Sequence, residues 1–249
     1  NVKIRKAISY SIDREEMIDA VYGRYNPAYS YVAPAITFNG SSYRDQVGEI
    51  MEDEYNEYVG DPDKIVALFQ EGLDELGVET PIEDITLTYL TSGSTTEVQA
   101  EREYIQQSLE ETLGLTVELS VAGDTSLFIA DRNEGNYDFF LGGWYSDYND
   151  PLDFLYTNYT DAYGMSFGGY SNTDYDALAD QLVGETDMDK RLDIYKQMEQ
   201  ILLLDDCAFA PIYYATKQVL LQNWVKDYRT SSFGASAEFI WTYIDGKNQ

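Results

Sequence analysis

Between Asp61 and Leu141 two periodicities take turns along the chain. Asp61-Pro62-Asp63-Lys64 opens a helix to Leu76, with Ile65, Leu68, Phe69, Leu73 and Leu76 on one stripe and Gly77 as its stop. Ile85 to Leu90 alternates and predicts a strand. Thr95 to Leu113 predicts a second long helix stopped by Gly114, and Leu115 to Val121 a second strand. Asp124-Thr125-Ser126 caps a short helix to Asn133, Gly135 stops it, and Tyr137 to Leu141 reads as a third, buried strand. Strands separated by helices pair through crossovers rather than hairpins, so this order predicts an α/β layer. Functional sites in such layers sit beyond the carboxyl ends of the strands.

What lies beyond the third strand is Gly142-Gly143-Trp144-Tyr145-Ser146-Asp147-Tyr148-Asn149-Asp150-Pro151. Two glycines allow another backbone to come close. Two aromatics and the carboxylate of Asp147 follow, and Asn149-Asp150-Pro151 signals a turn into a helix. Open backbone, flat aromatic faces and one carboxylate suit an extended ligand with a cationic end. Other readings compete. Asp147 could cap the helix after Pro151, and Trp144 could be core. Asp147 with Asp150 or Asp153 could form a glycosidase-like carboxylate pair. A calcium loop over the three aspartates fits less well, lacking the required glycine and terminal glutamate.

The remaining chain narrows the classes. With 16 Lys plus Arg against 45 Asp plus Glu, a formal charge of -29, the surface repels nucleic acid and anionic lipid, so neither is expected as a partner. The absence of histidine removes Ser-His-Asp and Cys-His chemistry and every His-ligated metal site. No cofactor is expected. Cys207, beside Ala208-Phe209-Ala210, reads as a small core residue. Val2 to Tyr22 predicts two helical pieces, the second opened by a capping box from Asp13 to Glu16. Arg24 to Gly60 reads as loop, with Glu49 to Tyr58 as a solvated acidic face. Asn158 to Ser171 reads as a Tyr/Gly-rich loop. Thr173 to about Val183 and Asp187 to Leu204 predict helices, and Pro211 to Ala215, Gln218 to Leu221 and Phe239 to Ile244 predict strands. The chain begins at Asn1-Val2-Lys3-Ile4-Arg5, a sequence typical of the inside of a fold, which predicts a fragment or a processed form.

Four ordered stretches carry a resemblance. Val2 to Arg14 resembles the "VR-A-xx-A-x-D-R" segment of the extracellular solute-binding proteins of oligopeptide and dipeptide ABC importers. Pro27 to Pro34 fits the loop that follows it. Gly143-Trp144-Tyr145-Ser146-Asp147-Tyr148-Asn149-Asp150-Pro151 resembles the family's "GW-xx-DY-xx-P" motif. Pro211-Ile212-Tyr213-Tyr214 with Trp224-Val225-Lys226-Asp227-Tyr228 resembles its closing pattern, with Asp227 where glycine is usual. The resemblance implies a type II periplasmic-binding-protein-like lobe, a mixed β-sheet flanked by helices. Residues 1–216 would be the second lobe of a two-lobe protein. Residues 217–249 would cross back to a first lobe that lies outside this chain.

The resemblance also implies a peptide as ligand, an ABC permease as partner, no catalysis, and an extracellular or periplasmic location with a lipid anchor on the outer face of the membrane. It gives Asp147 the peptide's α-amino group and the backbone of Gly143, Trp144 and Tyr145 a strand-like pairing with the ligand. Arg132 would line the ligand cavity and Ile129 would face a side-chain pocket. From the residues alone, Arg132 could equally form a surface ion pair with Asp131 or Glu134. Leu141 stands where oligopeptide binders carry an arginine, which leaves room for a nickel chelate, haem or an oligosaccharide as the ligand.

Overall fold

Asn1 is the first residue to act. Its side chain accepts the backbone N–H of Lys3 and Ile4 and so starts helix α1, Val2–Tyr10. The computed structural model describes residues 1–160, 169–235 and 237–247. Asp13 caps α2, Arg14–Met17, by accepting from Glu16 N, and the chain widens into a π-turn, Ile18–Tyr22, before Gly23 stops it in a left-handed conformation. The short strands β1 (Asn26–Pro27), β2 (Thr37–Phe38) and β3 (Ser41–Ser42) follow, then α3 (Tyr43–Val47) and α4 (Glu52–Tyr58).

The expectation of a loop over Arg24 to Gly60 is therefore corrected. The segment lacks a clear repeat because its order comes from distant partners. Glu199, fully buried, accepts the backbone N–H of Tyr31 and Val32, the Tyr43 hydroxyl at 3.0 Å and the Arg44 guanidinium at 2.7 Å. The acidic run is also only partly solvated. Tyr55 of α4 is buried, and Glu54 accepts from Lys6 Nζ at 2.7 Å and the Tyr10 hydroxyl at 2.8 Å.

The central layer forms as the alternation predicts. Asp61 caps α5 (Pro62–Leu76) with Pro62 at its first turn, and Gly77 closes it. Strand β4 is Thr86–Ser92. Thr95 caps α6 (Thr96–Leu113), β5 is Thr116–Ala122, Asp124 caps α7 (Thr125–Glu134) and β6 is Phe139–Phe140. These three strands pair in parallel in the order β5-β4-β6, so both long connections are crossovers. The third strand is shorter and less buried than expected: only Phe139 and Phe140 pair, and both are half-buried.

Helices α8 (Leu152–Leu155), α9 (Thr173–Gln181) and α10 (Met188–Gln200) build a second layer, and α10 runs on into a π-turn at Ile201–Asp205. Of the loop expected over Asn158 to Ser171, residues 161–168 lie outside the described residues. Strand β7 (Tyr213–Tyr214) pairs antiparallel with β1, and β8 (Val225–Lys226) with β9 (Tyr243–Ile244). The strand expected over Gln218 to Leu221 does not form. Leu220 is 99% exposed there, and no strand pairs with this stretch among the described residues. The final strand is confined to Tyr243–Ile244, because only those residues find a partner ladder in β8.

The core divides in two. One cluster gathers α1, α5, α6 and the parallel sheet around Tyr10, Phe69, Tyr89 and Leu109. The other gathers α8, α9 and α10 around Val32, Phe154, Tyr175 and Met198. Against the rings of Tyr29 and Tyr55 in the first cluster sits Arg14, fully buried and without a carboxylate partner among the described residues. Its guanidinium donates to Ala28 O at 3.1 Å, Pro211 O at 2.7 Å, Ser9 O at 3.2 Å and Ser9 Oγ at 3.1 Å, and lies 4.2 Å from the centre of the Tyr55 ring. Burial lowers its proton affinity, against which the Tyr55 ring and hydroxyl act. Cys207 is buried, as its apolar neighbours suggest, and burial pushes its thiol up to about 11, the range of an unreactive side chain.

Candidate functional site

The end of β6 opens into the segment singled out from sequence. Phe139 pairs with Tyr89 of β4 and stacks on its ring at 4.7 Å, and the ladder ends one residue later at Phe140. An added Cβ at Gly142 would meet the Phe140 ring at 3.0 Å, whereas one at Gly143 would meet nothing within 4 Å. Of the two glycines, then, only Gly143 faces open space. Gly143, Trp144 and Tyr145 have no strand partner among the described residues. Tyr145 is 83% exposed, so its ring is held by little of the protein.

The carboxylates sort themselves. Asp150 accepts at 2.8 Å from the N–H of Leu152, the first residue of α8, and at 2.9 Å from the Tyr195 hydroxyl. Asp153 is buried and holds the loop: one of its oxygens accepts from Trp144 Nε1 at 2.9 Å and from Asp147 N at 3.0 Å. Asp147 neither caps the helix nor takes a partner through its carboxylate among the described residues, and it is exposed. Sequence reasoning missed the role of Asp153. The signal was there, since a lone carboxylate flanked by Leu152, Phe154 and Leu155 in a helical turn must find donors when it is buried.

A cavity of about 880 Å³ lies against this segment. Trp144, Tyr145 and Ser146 form one wall, and Tyr31 and Phe209, stacked at 5.2 Å, form another. Tyr213 and Tyr214 of β7 form a third, and Thr230 to Gly234 a fourth. Trp144 thus does two things: its indole N–H is tied to Asp153 while its ring faces the cavity. A second cavity, of about 570 Å³, lies on the other side of Leu141 to Gly143, toward Arg5, Asp138 and Asp206. Asp147 stands beside the larger cavity, at the end of its Trp144–Ser146 wall, but is not part of the lining. Arg132 and Ile129 sit on α7 and line neither cavity, and Ile129 is 42% exposed. Among the described residues no group of three or more acidic or sulfur ligands could hold a metal ion.

Behind Tyr213 sits Glu101 of α6, buried at 5% exposure, with the Tyr213 hydroxyl donating to it at 3.2 Å. Burial pushes its carboxyl up to about 7 from an ordinary 4.5, with the Tyr213 hydrogen bond pulling the other way. The folded chain therefore holds this proton more tightly than the unfolded chain does. The stability that this one group contributes is fully present below pH 4.5 and is lost as the pH climbs through about 7. Glu101→Gln is expected to stabilise the protein by about 2 kcal/mol at pH 8 and by nothing at pH 4. Urea denaturation at both pH values measures this, and an equal effect at the two would refute it.

Comparison with known proteins agrees with this geometry. Residues 1–166 match the family model described as bacterial extracellular solute-binding proteins, family 5 Middle. Among curated relatives, the oligopeptide-binding protein OppA of Bacillus subtilis is 30% identical over 232 residues, covering 91% of this chain and 38% of that protein. The dipeptide-binding protein DppE of the same organism is 31% identical over 225 residues, 90% and 39%. Among solved structures, Listeria monocytogenes OppA bound to peptide superimposes with a TM-score of 0.78 at 31% identity, covering 98% of this chain and 45% of that one. The chain spans about two-fifths of the length of these curated relatives. An α/β lobe with a parallel sheet, an exposed aromatic segment at its strand end and the matched residues together place the chain in the family of bacterial extracellular solute-binding proteins, family 5.

Proposed function

We propose that this chain is the second lobe of a peptide-binding component of an ABC import system, which captures peptides outside the cell by closing on them with a first lobe. One observation carries the reading. The unpaired backbone of Gly143 to Tyr145 and the unpaired carboxylate of Asp147 lie side by side at the edge of an aromatic-lined cavity. An extended peptide pairs its backbone with such a segment whatever its side chains are. Its terminal ammonium meets Asp147 in a charge-assisted hydrogen bond, roughly twice as strong as a neutral one. Trp144, Tyr145, and Arg132 and Ile129 on α7 would complete the ligand's surroundings once a first lobe covers this face. Nothing in this binding scheme calls for a reacting group, and the loaded protein passes its cargo to a membrane permease. A lipid anchor at the outer face of the membrane would keep it there.

Residues 217–249 are read as the segment that crosses to the first lobe. Leu220, Leu221, Phe239, Ile240 and Trp241 are all exposed, an apolar stripe of the kind that marks an interaction surface.

The test uses the full two-lobe protein and calorimetry with a tri- to pentapeptide library, free and N-acetylated. The free library is expected to bind and the acetylated one to bind on the order of a hundredfold more weakly. Asp147→Asn should remove that difference. Equal binding of both libraries to the unaltered protein would sink the amine assignment. Binding of neither would turn attention to nickel chelates, haem and oligosaccharides.

A further inference from the structure

One wall of the larger cavity comes from a stretch far along the chain from Trp144. Thr230 to Gly234 form a turn that lies on the Asp147 loop, joined to it by one hydrogen bond and folded by another within the turn. Gly234 N donates to Ser146 O at 2.8 Å. Ser231 Oγ donates to Phe233 O at 2.6 Å, close enough to Phe233 N (3.3 Å) to fold the turn on itself. Gly234 is needed at this position. Its φ of +63° is unfavourable for a side chain, and an added Cβ would lie 3.4 Å from Asp147 O. The turn is thus set against the backbone of Ser146 and of Asp147 itself, and the half-buried Phe233 lines the cavity.

We infer that Phe233 is a specificity-determining residue that limits the size of the ligand side chain nearest the ammonium group. The inference rests on the peptide reading and goes beyond it by naming the residue that sets the preference. The ammonium and the first side chain of a peptide share one carbon. A ligand anchored at Asp147 therefore sends its first side chain toward the nearest space, which is the cavity between Trp144 and the Phe233 turn. Trp144 and Phe233 both line that cavity, so a first side chain that enters it meets aromatic surface, and the size it can have there depends on the bulk of Phe233. The segment also belongs to the stretch that leads on to the exposed Phe239, Ile240 and Trp241. What covers those residues therefore bears directly on the shape of the first side-chain pocket.

The experiment measures, in the full two-lobe protein, the affinity ratio for two tripeptides that differ only in their first residue, Trp-Ala-Ala and Ala-Ala-Ala. Phe233→Ala should shift that ratio toward the tryptophan peptide by roughly tenfold, the size of effect a few methylenes carry in an apolar pocket. Phe233→Trp should shift it the other way. Moving the tryptophan to the third residue should leave the ratio unchanged in both variants. Opposite shifts confined to the first residue support the assignment. A ratio that stays within twofold of the unaltered protein, or that moves in the same direction in both variants, overturns it while leaving the peptide reading intact. Failure of the unaltered protein to bind either peptide overturns the peptide reading itself, and the role of Phe233 with it.

Discussion

Arg14→Ala is expected to destabilise the protein by about 4 kcal/mol or more, the upper end of what single substitutions do. The guanidinium is fully buried and holds carbonyls from three places at once: Ser9 in α1, Ala28 beside β1 and Pro211 beside β7. Removing it leaves those acceptors without donors in the interior, at about 1–3 kcal/mol each before relaxation. It also leaves a cavity beneath Tyr55. Lysine does not rescue the loss, because one ammonium on a flexible stem lacks the planar fork that reaches several carbonyls at fixed angles. Arg14→Lys should therefore lose most of what alanine loses. Urea titration followed by tyrosine fluorescence gives both numbers. A loss below about 1 kcal/mol for alanine would show that the clasp contributes little.

Glu199→Ala should cost about 3–5 kcal/mol by a different route. Here the cation remains. Arg44, only 6% exposed, would keep its bonds to Gly48 O and Val32 O but lose its close counter-charge, with only Glu49 left at 4.0 Å. The N–H groups of Tyr31 and Val32 and the Tyr43 hydroxyl would lose their acceptor too. Burial is the main cause that pushes the Tyr43 phenol well up, and it stays when the Glu199 charge is gone, so the phenol does not ionise to compensate. The diagnostic comparison is the pair Glu199→Leu with Arg44→Met. If the damage comes from a stranded charge, the double variant should be more stable than Glu199→Leu alone, because replacing both ions with apolar groups removes the desolvation cost. A double variant that loses the sum of the two single losses would mean the residues act independently.

These two networks also explain which parts of the fold were legible in the sequence. Helices with a local start and stop were. Asp61, Thr95 and Asp124 cap α5, α6 and α7 through their own side chains, and Gly77, Gly114 and Gly135 end them in the left-handed conformation. The three parallel strands followed from that alternation. Arg24 to Gly60 was not legible, because Glu199 and Arg14 order it from elements remote in sequence, and no window of neighbouring residues contains that information. The site was legible in its position and less so in its wiring. Gly143 to Asp147 could be picked out as the exposed end of a strand, and the structure leaves the Asp147 carboxylate unpaired. The structural carboxylate of the loop, Asp153, could be told from its neighbours only by its burial. Arg132 and Ile129 came with the family resemblance, and on α7 they face neither cavity of this chain.

The pairing of β1 with β7 has a consequence for how the protein comes to exist. Asn26 and Pro27 find their partners in Tyr214 and Tyr213, on the far side of the parallel sheet along the chain. The parallel strands and their connecting helices are complete by Phe140, so their pairing needs nothing from the later residues. The larger cavity takes its walls from residues 28–36, 141–146 and 209–234, and so has no form until those three stretches have come together. Binding competence therefore depends on the longest-range contacts of the fold, the slowest kind to close, and a chain cut before Tyr213 would keep its sheet with nothing built to hold a ligand.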